Sequence, residues 1–149
     1  MTKREIAESN FLSGYNCAQA VLSAFSFEVG LSEETCIKLA SSFGGGMGRM
    51  RLTCGAFSAM LMVAGLLSGY DDTADIEAKA AHYKLVQTLA QEFKKRHGTL
   101  SCNELLGGNA DSSFTPTERT EEFYKTRPCL KIIGDCAEII EQLIINKTL

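Results

Sequence analysis

Apolar residues recur along this chain at helical spacing, and no window shows the sustained alternation of a half-buried strand. A first short helix is predicted over residues 3 to 10. Over residues 15 to 28, Cys17, Val21 and Phe25 form one stripe at i, i+4 and i+8, a single helix face. Ser32 reads as an N-cap, with Glu33 and Glu34 in a first turn where carboxylates complement the dipole. The glycine cluster that begins at Gly44 ends that helix. From Leu52 to Leu67 the chain carries no charge, which predicts a central apolar helix surrounded by others. A membrane span needs about 20 apolar residues; this run stops at Ser68-Gly69, just before Asp71 and Asp72. No membrane span is predicted.

The longest periodic pattern covers residues 73 to 97, capped by Thr73 or Asp72 and closed by Gly98. A short turn over 101 to 106 ends in Gly107-Gly108, and "GNADSSFTPTER" reads as the main loop. Thr117 followed by Glu118 opens another helix, Pro128 interrupts it, and residues 129 to 146 form a strongly amphipathic last helix. The expectation is an all-α protein, one domain over 1–149, folded as a bundle of five to six helices.

The composition fits this reading. A chain of 149 residues with 45% hydrophobic and 22% charged residues buries a substantial core without crosslinks. A net charge of -3 gives no basic surface for nucleic acid. The one basic cluster, Lys94-Lys95-Arg96-His97, reads as the last turn of a helix, where cations are favoured. The opening "MTKREIAESNFLSGYN" lacks the apolar core of a signal peptide, so the expected location is cytoplasmic.

In that compartment thiols stay reduced, so six cysteines direct attention to metal or redox chemistry. Cys54 lies at the start of the apolar helix, with Thr53 as its N-cap. A helix N-terminus lowers a thiol pKa, and Arg49 and Arg51 act in the same direction if they point inward. Cys102 opens the turn "SCNELLG", and Cys129 follows Pro128 in another first turn. Cys17 has only its place on an apolar stripe to recommend it. Cys36 and Cys136 read as core fillers. Cys129 and Cys136 are seven residues apart, about 10.5 Å along a helix, too far for a disulfide. No C-x-x-C pair exists, so any metal site must draw ligands from distant helices.

Other prominent residues have bland readings. "GGGMG" lacks the lysine and hydroxyl of a phosphate-binding loop, and follows no strand. His82 and His97 share one helix, and no hydrolase arrangement emerges. Met47, Met50, Met60 and Met62 read as gap fillers.

Taken together, "GYNCAQAVLSAF", the glycine-rich stretch leading to "CGAFSAMLMVAGL", "SCNELLG" and "PCLKIIGDCAEIIEQL" resemble the redox-active family called C_GCAxxG_C_C, over about residues 10 to 145. The resemblance assigns its four cysteines to Cys17, Cys54, Cys102 and Cys129. It implies redox activity at those four residues, an iron-sulfur cluster held by them, and an oxidoreductase or transporter component as partner. Gly44, Gly45, Gly46 and Gly55 then let a helix start deep in the bundle and offer backbone amides to a cofactor. The last glycine of the CGAxxG motif is Ala59 here, the smallest substitute. A metal-free thiol/disulfide protein and a structural zinc module stay open as alternatives, as does a homo-oligomer.

Overall fold

The computed structural model describes residues 1–147, and these form an all-helical protein with no strand beyond one isolated β-bridge. Nine α-helical segments follow one another: α1 Lys3–Leu12, α2 Cys17–Ala24, α3 Ser26–Val29, α4 Glu33–Ala40, α5 Gly55–Ser68, α6 Ile76–His97, α7 Cys102–Leu105, α8 Glu121–Thr126 and α9 Cys129–Ile139. A 3-10 turn, Ser41–Phe43, follows α4, and α9 widens into a π-helical turn over Ile140–Ile145. The count exceeds five to six because three segments are single turns or little more. Phe25 breaks the stripe over 15 to 28 into α2 and α3.

Helix starts obey capping chemistry. Thr2 accepts from the Glu5 amide while Glu5 accepts from the Thr2 amide, and Asn16 and Gln19 repeat that reciprocal pair ahead of Cys17. Ser32 caps α4 as its sequence predicts. Elsewhere the caps fall later than the sequence suggests: Asp75 caps α6, and Thr120, not Thr117, caps α8. Asp75 accepts from the Ala78 amide at 3.0 Å, whereas Asp72 spends its carboxylate on the Ala74 amide in the preceding turn.

α2 lies at the heart of the packing, against α1, α4, α5 and α9. Its short, small-residue sequence lets it bury Ala18, Ala20, Val21, Leu22 and Ala24 almost completely. Phe57 and Phe93 meet edge to face at 5.5 Å between α5 and α6. Cys36 and Cys136 are fully buried in this core. On the far side of α9, Asp135 gathers Arg4, Lys131 and His97 around one buried carboxylate.

The glycine-rich stretch has a specific geometry. Five consecutive residues, Gly45 to Arg49, have φ between 57° and 69°, and Arg51 follows at 61°. The chain therefore winds left-handed, closed by bonds from the Arg49, Arg51 and Leu52 amides to the Gly44, Gly45 and Gly46 carbonyls. A Cβ in this conformation crowds the next carbonyl at roughly 1–2 kcal/mol per residue, which explains why three of the five are glycine. Met47 and Arg49 accept that strain.

Candidate functional site

The left-handed turn delivers the following residues to one place. After it, the chain pairs antiparallel with residues 100 to 103 through the Thr53–Ser101 bridge. The Cys54 amide donates to Leu100 O at 2.8 Å and the Cys102 amide to Leu52 O at 2.6 Å. Two cysteines 48 positions apart are thereby fixed side by side on the backbone ladder. Cys17 at the start of α2 and Cys129 at the start of α9 complete the group.

Cys17, Cys54, Cys102 and Cys129 all line one cavity of about 310 Å³. Gly44, Gly45 and Gly55 also line it, while Gly46 is buried against Cys102. The approach is close: a Cβ on Gly55 would stand 2.6 Å from Cys17 Sγ, and one on Gly46 would stand 2.6 Å from Cys102 Cβ. Side-chain-free backbone is a packing requirement at both positions. Nearby backbone amides favour charge on two of the sulfurs: those of Gly45, Ala18 and Ala56 at Cys17, and those of Phe57 and Ala56 at Cys54, each acting against the burial that raises these thiols.

The helix-start argument does not carry over to Cys54. Burial pushes its thiol well above the ordinary value, repulsion from Cys17 adds to this, and the amides of Phe57 and Ala56 offset only part. The residue is itself the N-cap of α5, and neither it nor Thr53 makes a side-chain cap. Arg49 and Arg51 line the same cavity but direct their bonds to partners other than Cys54. Arg49 donates to Ser113 O at 2.7 Å and Thr117 Oγ1 at 2.8 Å. Burial likewise raises Cys17, and it pushes Cys129 up to about 12, with Cys17 and Cys102 repelling and Arg127 opposing. In the metal-free protein these three are protonated thiols at neutral pH.

Cys102 has a different neighbour. Arg51, only 6% exposed, brings Nη1 to 3.7 Å from Cys102 Sγ and anchors Nε on Asp111 O at 2.9 Å. The contact gives Cys102 Sγ a cationic hydrogen-bond donor, which none of the other three sulfurs has among the described residues. Arg51 Nη2 has no hydrogen-bond partner among the described residues. The cavity wall contains two further arginines that sequence reading missed, Arg119 and Arg127, together with Phe11 and Phe123. Nothing in local spacing announces them, because they come from the long loop and its flank and meet the thiols only through the fold.

All six cysteines are free thiols. Among the described residues, no three His, Cys, Asp or Glu side chains converge so as to hold a single metal ion. The four thiols are spread around a cavity wall instead. Four cysteines, amide donors at two of them and a positively charged lining form a donor set that fits an anionic iron-sulfur cluster.

The family described as "Putative redox-active protein (C_GCAxxG_C_C)" matches residues 15–143, and the chain belongs to it. Comparison with curated proteins and with solved structures gives no match. No helix among the described residues is long and apolar enough to cross a membrane.

Proposed function

We propose that this member of the C_GCAxxG_C_C family carries its redox chemistry in the four-thiol cavity, holding an iron-sulfur cluster through Cys17, Cys54, Cys102 and Cys129. One observation carries the reading: four cysteines from four separated segments line a single cavity whose charged lining is arginine, with no carboxylate. When bound, such a cluster supplies one-electron transfer.

The chain's own residues then have defined tasks. The four sulfurs bind, and must release their protons to do so, so loading is favoured at higher pH. The amides at Cys17 and Cys54 orient and stabilise the thiolates. Arg51 stabilises charge on Cys102 Sγ. The apolar wall of Ile132 and Ile133 keeps water away.

A metal-free dithiol centre is the second reading, and the Arg51–Cys102 contact favours it, since it singles out one sulfur as the nucleophile. In either case we expect an oxidoreductase or transporter component as partner, in the reducing cytoplasm.

Single Cys→Ser substitutions test the assignment. Cys17, Cys54, Cys102 and Cys129 variants are each expected to lose the visible absorption of a loaded cluster, while Cys36→Ser and Cys136→Ser keep it. Loss of the chromophore in Cys136→Ser alone would show the ligand set to be wrong.

A further inference from the structure

The cavity carries positive charge that the protein leaves unbalanced. Arg49, Arg51, Arg119 and Arg127 line it, and no Asp or Glu does. Among the described residues, the single carboxylate paired with any of the four is the exposed Asp111, 3.4 Å from Arg49. Burial lowers the Arg49 pKa, and repulsion from Arg51 and Arg127 adds to this, so these guanidinium groups crowd one another. Arg119 is satisfied by the carbonyls of Phe11 and Tyr15 at 3.1 and 3.0 Å. Arg127 is not. It stacks on the Phe123 ring at 4.8 Å and makes no hydrogen bond or ion pair among the described residues. With the unpartnered Arg51 Nη2, two of the four arginines hold donors that no acceptor among the described residues meets, the buried one being that of Arg51.

Much of the rest of the wall is apolar, with Asn16, Ser41 and Thr117 as its uncharged polar members. Phe11, Phe114, Phe123, Pro116, Ile132 and Ile133 surround the arginines. A volume of about 310 Å³ lies at the lower end of small-molecule pockets, which are mostly apolar with a few placed polar groups. An inorganic anion answers the charge and leaves the rings wet. A neutral apolar compound does the reverse.

We propose that the cavity takes a small organic anion with a flat apolar body, its acidic head held by Arg127 beside Arg51 and its body against Phe123 and the exposed Phe114. The planar guanidinium of Arg127, already fixed on an aromatic ring, presents paired donors to a carboxylate-like head. This ligand class goes beyond the cluster reading: it draws on the same arginine-lined cavity, but recognition rests on arginines and rings rather than on the thiols.

Calorimetric titration of the purified full chain with benzoate, at constant ionic strength, tests the assignment. One-to-one binding is expected, with sulfate and benzyl alcohol each binding more weakly. Arg127→Gln should raise the benzoate Kd about tenfold, the loss of one charge-assisted contact. Its melting temperature should change by only a few degrees, since the side chain gives up one stack on Phe123 and no hydrogen bond or ion pair among the described residues. Arg127→Lys should fall between the two. Absence of benzoate binding, equal binding by Arg127→Gln, or sulfate binding as tightly as benzoate would each overturn the proposal. Iron and sulfide measured on the same sample keep the two ideas apart. Benzoate binding without a cluster leaves this site standing, and a cluster without benzoate binding removes this site alone.

Discussion

Two glycines in α5 provide a matched pair of substitutions with opposite expected signs. Gly55 opens the helix beside the site, and a Cβ there would collide with the Phe43 carbonyl oxygen and stand 2.6 Å from Cys17 Sγ. Neither neighbour is the free end of a long side chain: one is backbone, the other is held at the start of a capped helix. Inserting a methyl into such a place costs about 1–3 kcal/mol. Gly65 lies on the exposed side of the same helix, and a Cβ there meets nothing within 4 Å. Replacing it by alanine gains up to about 1 kcal/mol from helix propensity alone. For a protein of this size each kcal/mol moves the melting temperature by roughly 2–4 °C. Thermal unfolding should therefore show Gly55→Ala lowered by roughly 2–12 °C and Gly65→Ala raised by a few degrees. Because Gly55→Ala also displaces Cys17, its bound iron should fall further than its stability does. If Gly55→Ala melts at or above the wild-type temperature, the close approach of α5 to Cys17 is wrong.

The remaining predictions concern other parts of the molecule. Phe93 is fully buried between Phe57 and His97, so Phe93→Ala should cost about 3–5 kcal/mol in urea unfolding. Burial lowers the His97 pKa against the attraction of Asp135, so the folded state binds that proton less readily than the unfolded chain. Stability should then drop as pH falls below about 6.5, and His97→Gln should flatten that limb. Burial pushes the Asp135 carboxyl up, but hydrogen bonds from Lys131 and Arg4 outweigh it and hold the group below its ordinary value. Its stabilisation is present above about pH 3.9 and is lost below it, and Asp135→Asn should remove that second acid limb. Arg51→Gln should slow alkylation of Cys102 at neutral pH while leaving Cys54 unchanged, read by mass spectrometry of labelled peptides; equal rates for wild type and variant would deny the contact its role.

The all-helical class was legible because apolar spacing and caps agree: Ser32 and Gly98 fall where the structure uses them. The boundaries around Asp75 and Thr120 were not, since several Asp and Thr residues lie close together and only backbone geometry selects one. Helix position drew attention to Cys54, Cys102 and Cys129, and the family resemblance added Cys17. Chemistry at those positions was harder to read. Cys54 stands at a helix start, yet desolvation outweighs the amides near it. Arg51 was read as a neighbour of Cys54 by sequence, but the left-handed turn aims it at Cys102 instead. Arg119 and Arg127 gave no local sign, because their nearness to the thiols is made by long-range packing.

The central claim is that the four-thiol cavity holds an iron-sulfur cluster, and the most direct test is an ultraviolet-visible spectrum of protein purified without oxygen, with iron, sulfide and zinc quantified on the same sample. The account predicts broad absorption above about 400 nm from thiolate-to-iron charge transfer, with sulfide matching iron. A colourless protein carrying one zinc per chain, or no metal and no sulfide under those conditions, would contradict it.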